Sequence, residues 1–273
     1  MGYCSQALSP SELEAPLTGG NTTATVGGVA LRVSELNYSY ASAKSGRLAL
    51  EQLNFDLEAG QFHALLGPNG AGKSTLFALL TRLFVSRQGS IQLLGEDFVR
   101  APAKALGNIG VVFQQTTLDL DLSVEQNLLY QGALQGLDSR TTRARMSEEL
   151  ANFGLHNRLK DKVRQLNGGH RRRLEIVRAL LHRPKVLLLD EPTVGLDLES
   201  RQYLNQRVRQ LCRERDLCVL WATHLMEEIR DGDWVMLLHQ GKLRAQGHCR
   251  NLCQRHAVTD ITALFNELTG VTV

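Results

Sequence analysis

Short apolar runs alternate along this chain with stretches whose apolar residues fall at helical spacing, an order that predicts an α/β fold. Residues 62–66 (FHALL), 109–113 (IGVVF), 185–189 (KVLLL) and 217–222 (LCVLWA) have strand length, and KVLLL reads as a parallel strand buried on both faces. Looser alternation at 29–33 and at Leu53, Phe55 and Leu57 predicts strands before the first of these runs, and residues 89–95 read as a strand between turns. A hairpin is expected around Gln240-Gly241. Leu76, Phe77, Leu79, Leu80 and Leu83 form one helical stripe, while Leu174, Val177, Leu180 and Leu181 form a second that ends at Arg183-Pro184. A polar helix is expected from Gly195-Leu196-Asp197 to about Arg215.

Residues 116–165 change character. Ser123 and Gln126 make a capping box ahead of Leu128, Leu129 and Leu134, and residues 141–153 continue as a polar, helix-favouring run. They predict a helical insertion forming a semi-independent lobe. Residues 1–28, rich in Ser, Thr, Gly and Pro without periodicity, predict a flexible N-terminal tail.

The chemistry concentrates at residues 67–74, GPNGAGKS, between the first apolar run and the first helical stripe. Glycines at 67, 70 and 72 let successive N–H groups wrap a phosphate, and the following helix adds its positive end. Lys73 is placed to reach the terminal phosphates, Ser74 to offer a hydroxyl to Mg²⁺, and Thr75 to add a phosphate contact. Of the two upstream aromatics, Tyr38 and Tyr40, the spacing favours Tyr40 for stacking on a base. At the end of IGVVF, Gln114 can ligate Mg²⁺ or position water. The buried run 185–189 delivers Asp190 and Glu191 to the same sheet edge, Asp190 to hold Mg²⁺ through water and Glu191 to polarise the attacking water. His224, after the next strand, can contact the γ-phosphate and that water. At Leu166-Asn167-Gly168-Gly169-His170 a second helix start exposes N–H groups suited to an anion, and Arg171, Arg172 and Arg173 read as a solvated face.

The 31 Lys and Arg against 28 Asp and Glu leave a net charge of +3, too small to argue for a nucleic-acid partner. Five cysteines without a CxxC spacing suit a reducing compartment, and no apolar run approaches the roughly 20 residues that cross a bilayer. These features predict a soluble, cytoplasmic chain.

In order, GPNGAGKS, VVFQ, LNGGHRRR, VLLLDEP, GLD and WATH resemble the nucleotide-binding subunit of an ATP-binding-cassette (ABC) transporter over about residues 29–250. The resemblance implies a P-loop NTPase cassette with a RecA-like core, an antiparallel β subdomain and the inserted helical subdomain at 116–165, followed by a short C-terminal helical extension at 251–273. It implies ATP and Mg²⁺ as cofactors. The ATP site would comprise Tyr40, Gly67, Pro68, Asn69, Gly70, Ala71, Gly72, Lys73, Ser74, Thr75 and Gln114. Ser74, Gln114 and Asp190 would hold the metal, with Glu191 and His224 at the hydrolytic water. It further implies that Asn167, Gly168, Gly169 and His170 bind the γ-phosphate held by a second subunit, with Asp197 at the boundary between the two copies. Asn167 and His170 depart from the family's usual LSGGQ; Asn keeps a donor and an acceptor, and His170 is expected to make the closed dimer pH-sensitive.

More narrowly, the chain is similar to bacterial exporter-type cassettes, and NGGHRRR with DLDLSVEQNL resembles ATPases found with pyrroloquinoline-quinone-dependent alcohol oxidation systems. The expected partner is a separate transmembrane permease, which would hold the subunit peripherally at the cytoplasmic face of the membrane. The alternative is a cassette acting on nucleic acid or ribosomes, but each motif occurs once and no sustained heptads appear. A scaffold that binds ATP without hydrolysis conflicts with the presence of both Glu191 and His224.

Overall fold

The computed structural model describes residues 28–40 and 48–271; the tail expected at 1–28 lies, apart from Gly28, outside the described residues. The chain opens with strands β1 (Val29–Tyr38), β2 (Leu50–Glu58) and β3 (Phe62–Leu66), then helix α1 (Lys73–Leu80). Next come β4 (Gln88–Leu93), β5 (Glu96–Asp97), α2 (Pro102–Leu106) and β6 (Ile109–Val112). Three helices follow, α3 (Val124–Leu134), α4 (Ser139–Asn152) and α5 (Gly168–Leu180). The chain continues through β7 (Val186–Asp190), α6 (Leu198–Arg215), β8 (Cys218–Thr223), β9 (Trp234–His239) and β10 (Lys242–His248). It closes with α7 (Cys249–Arg255) and α8 (Ile261–Thr269).

Two sheets carry the fold. One is antiparallel in the order β2-β1-β4-β5; the other runs β10-β9-β3-β8-β7-β6, parallel throughout except for the β9-β10 hairpin. Every residue of β7 and β8 is buried. Alternation divides them: Leu187, Leu189, Val219 and Trp221 pack with α3, α4, α5 and α6, while Val186, Leu188, Leu220 and Ala222 pack with α1 and the antiparallel sheet. Cover on both faces is why these strands read as unbroken apolar runs rather than alternating ones. A third cluster seats Leu252, Leu264 and Phe265 of α7 and α8 on Ala64 and Leu66 of β3.

The helix starts follow local chemistry. Ser123 caps α3 in a reciprocal box with Gln126. Asp138 accepts from the Thr141 N–H at the start of α4, and Asp197 from the Ser200 N–H at the start of α6. The strand expected at 29–33 runs on to Tyr38, and α2 and β5 were not read from periodicity because they span only 5 and 2 residues.

His63 is almost wholly buried in β3, and its Nε2 accepts the Glu58 N–H at 3.2 Å. Burial pushes its imidazole down from 6.5 to about 4, outweighing nearby backbone groups of Val219 and Gln61 that act the other way. An unfolded chain takes up this proton near 6.5 and the folded chain only near 4, so acid favours unfolding between those values. Folding stability is expected to fall by about 3 kcal/mol as the pH drops through this window, at about 1.4 kcal/mol per pH unit. Urea unfolding of the native chain and of His63→Gln across the window checks this; the variant should lack that part of the acid loss.

Candidate active site

Four segments leave the carboxyl edge of the larger sheet: 67–72 after β3, Phe113 and Gln114 after β6, Glu191 after β7, and His224 after β8. Parallel strands bring such ends to one crevice, which is where ligands of open α/β sheets bind.

The loop at 67–72 is built tightly. Gly70 and Gly72 take φ of +80° and +113°. A Cβ on Gly72 would stand 2.7 Å from Leu50 Cδ2, and one on Gly67 would stand 2.4 Å from the Leu238 carbonyl oxygen. Gly72 caps α1 without a side-chain bond, so nothing from the cap covers the N–H groups of the first turn. Helix N–H groups presented by a glycine loop make an anion cradle.

Lys73 is buried, with Nζ donating to Gly67 O at 2.7 Å and Pro68 O at 3.3 Å and lying 3.2 Å from Glu191 Oε1. Glu191 is where the segments meet: Gln114 Nε2 donates to its Oε2 at 3.2 Å, and His224 Nδ1 lies 3.2 Å from Oε1. Its own φ is +47°, left-handed although it carries a Cβ. Asp190 beside it is buried, and its Oδ1 has no hydrogen-bond partner. Burial holds this carboxyl above its ordinary value, and the Glu191 charge adds to the rise; a hydrogen bond from Ser74 and the charges of Lys73 and Arg172 oppose it. An orphaned buried carboxylate oxygen next to a serine hydroxyl fits a hydrated divalent cation.

A cavity of about 740 Å³ opens here, lined by Pro68, Asn69, Gly70, Gly72, Lys73, Ser74, Thr75, Gln114 and Glu191. Tyr40 lines it too, 41% exposed, with its ring edge-on to Tyr38 and Phe84 and its hydroxyl 2.8 Å from Thr75 Oγ1. The Thr75 hydroxyl, expected on a phosphate, is thus engaged by Tyr40. Sequence reading missed the rest of the wall: Leu48, Ala49, Gln240 and Gly241. Gly241 N–H donates to Ala71 O at 2.9 Å, but a hairpin motif alone carries no sign of which loop it abuts.

The turn at 167–170 does not line this cavity. Asn167 caps α5, its Oδ1 accepting the His170 N–H at 2.8 Å. Gly169 approaches the start of α6 so closely that a Cβ would lie 2.7 Å from Ser200 Oγ, which itself donates to Asp197 Oδ2 at 3.1 Å. Gly169 is buried at this contact, and the exposed Asn167 and Asp197 stand at the two helix starts that meet there. The Ser200 hydrogen bonds hold the Asp197 carboxyl below its ordinary range. Burial, with Arg173 and Arg158, lowers His170 from 6.5, so any titration at this turn falls on the acid side of that value.

Of the arginine triplet, expected as a solvated face, Arg172 is buried and Arg171 and Arg173 are half-buried. Arg171 donates to Val163 O at 3.2 Å and to Arg164 O at 2.8 Å, and Arg173 lies 3.8 Å over the Tyr203 ring. Carbonyl oxygens and an aromatic face, supplied by other parts of the chain, take the place of water.

A glycine-rich phosphate cradle with a lysine at its helix start, facing two carboxylates at the end of a buried parallel strand, defines a P-loop nucleoside triphosphatase. The sequence profile of the ABC transporter family matches residues 50–194. The linearmycin resistance ATP-binding protein LnrL of Bacillus subtilis is 38% identical over 204 residues, covering 74% of this chain and 65% of LnrL. The Nod factor export ATP-binding protein I of Burkholderia lata is 36% identical over 220 residues, covering 80% of this chain and 72% of that protein. A dimeric ATP-binding cassette in a post-hydrolysis state, bound to ADP and Pi, superposes with a TM-score of 0.71 at 25% identity, covering 80% of this chain and 98% of that one. The chain belongs to the ABC transporter family and is one of its ATP-binding subunits, an ATPase.

Gly72→Ala combines a left-handed φ with a clash against Leu50. It is expected to destabilise the chain by about 1–3 kcal/mol and to abolish ATP binding, read by urea unfolding and nucleotide titration.

Proposed function

We propose that the chain hydrolyses ATP to power a separate membrane-spanning permease, in the direction of export. The observation that carries the hydrolytic reading is the convergence of Lys73, Gln114 and His224 on the Glu191 carboxylate, beside the unpartnered Oδ1 of Asp190. Residues 67–75 hold the triphosphate, Lys73 turning from the loop carbonyls to the terminal phosphates. Ser74, Gln114 and Asp190 would hold Mg²⁺, which when bound would neutralise charge on the phosphate oxygens. Glu191 accepts the proton of the attacking water, and His224 holds that water against the γ-phosphate. Tyr40 stacks on the adenine.

The exposed Asn167, Gly168 and Asp197 lie outside the cavity, which supports their use by the nucleotide of a second subunit, in the simplest case a second copy. Two half-sites that each need the same triphosphate convert ATP binding into closure of a dimer. Exposed apolar side chains at Leu83, Val85 and Val99, and at Tyr130 and Leu134 one turn apart on α3, support contact with the cytoplasmic helices of the permease. Among the described residues no helix is long and apolar enough to cross a membrane. The subunit then sits at the cytoplasmic face of the membrane as a peripheral component. Export is supported by the names of the relatives, one an export protein and one a resistance protein.

Glu191→Gln is expected to lower kcat for ATP hydrolysis about 100-fold or more while ATP still binds, and His224→Ala to do likewise. Steady-state hydrolysis paired with nucleotide titration reads both. Copurification of the Glu191→Gln chain from native membranes with ATP tests the coupling. A multi-spanning protein recovered in ATP-dependent amounts is expected; ribosomes or nucleic acid with no membrane protein would overturn the transport reading.

A further inference from the structure

We propose that Arg172 is a positioning residue for ATP hydrolysis: from α5 its guanidinium fixes the backbone turn that aims Glu191 and ties that turn to the segment carrying Gln114. The proposal rests on Glu191 acting as the base.

The guanidinium is buried between two of the segments that build the site. On one side its Nε donates to Pro192 O at 2.7 Å, and its Nη2 donates to Glu191 O at 3.0 Å and Asp190 O at 3.4 Å. On the other, Nη1 donates to Phe113 O at 2.6 Å and Nη2 reaches Gln114 O at 3.5 Å. Nη1 also pairs with Glu175 Oε2 at 2.6 Å, one turn further along α5. The buried Glu175 completes the grip, its Oε1 accepting the Thr117 N–H at 3.2 Å. Only a planar fork of N–H donors can serve carbonyl oxygens on both sides at once, and a lysine ammonium in the same place could not span them.

Glu191 sits at φ +47°, a conformation that a residue with a Cβ keeps only where its surroundings over-determine it. Arg172 supplies that determination directly, because the carbonyls it holds belong to Asp190, Glu191 and Pro192. In addition, α5 is one rigid helix whose first residues are the turn at 168–170. A displacement of the helix start therefore reaches Glu191 and Gln114 through a single side chain, without touching either carboxamide or carboxylate. Removing the guanidinium should misaim Glu191 while leaving the phosphate loop, which it does not contact, able to bind ATP.

The test is a double-mutant cycle in the full-length chain: native, Arg172→Lys, Glu191→Gln and the double variant, each assayed for hydrolysis of radiolabelled ATP and for ATP affinity. Arg172→Lys is expected to lower kcat about tenfold with KM changed less than about twofold. In the Glu191→Gln background the same change should alter the residual rate by less than about twofold, because the side chain through which Arg172 acts is already disabled. Arg172→Gln/Glu175→Gln, which leaves no orphaned buried charge, serves if the lysine variant does not fold, and should show the same split. A kcat within about twofold of native, KM rising in step with the loss, or an equal fold-loss in both backgrounds would overturn the proposal. Failure of both replacements to fold would assign Arg172 to core stability and contradict it equally. Native-like hydrolysis by Glu191→Gln alone would instead bring down the assignment of the base itself.

Discussion

The carboxylate of Glu191 receives Lys73 from the helix after β3, Gln114 from the segment after β6 and His224 from the segment after β8. Each partner lies beyond the end of a different parallel strand, so their meeting depends on the register of the larger sheet. Val112 pairs with Leu189, and Asp190 with Ala222, which sets the strand ends level at one edge. A slip of one residue in β7 would reverse every side chain on it. Because that strand is buried on both faces, such a slip would exchange its contributions to two separate apolar clusters, and the register is correspondingly well defined. The apolar core thus fixes the position of a charged atom it does not touch.

Charge is concentrated in this crevice. Lys73, Arg172, Glu175, Asp190 and Glu191 are all buried; Lys73 pairs with Glu191 and Arg172 with Glu175, while Asp190 has only the Ser74 hydroxyl and the nearby charges of Lys73 and Arg172. Ions taken out of water are tolerated only with such compensation. Burial and the neighbouring Glu191 both disfavour the charged form of Asp190, whose Oδ1 is unpartnered. A divalent cation beside Asp190 would favour the charged form, so the arrangement is suited to metal and triphosphate together.

What sequence reading reached, and what it did not, divides along contact range. The phosphate loop, the capping box at Ser123 and Gln126, the polar helix after Asp197 and the buried strand before Asp190 were all legible, because each depends on residues within one turn or one strand of one another. Arg172 was not, since its carbonyl partners at Phe113 and Pro192 lie 59 and 20 positions away, and an arginine in a run of three looks solvated until those oxygens are placed beside it. The Tyr40 hydroxyl on Thr75 is the same case across 35 positions. Gln240 and Gly241 were read correctly as a turn, but their place in the cavity wall follows from the β9-β3 pairing, which no local pattern announces.

The most direct measurement is a crystal structure of the Glu191→Gln chain with ATP and Mg²⁺. The triphosphate is expected on residues 67–75 with Lys73 turned to it, the metal between Ser74 and Asp190, and the 167–170 turn of a second subunit closing over the γ-phosphate. Position 191 should keep its left-handed turn under Arg172. Nucleotide bound away from the 67–75 loop, or metal held without Asp190, would contradict the account at its centre.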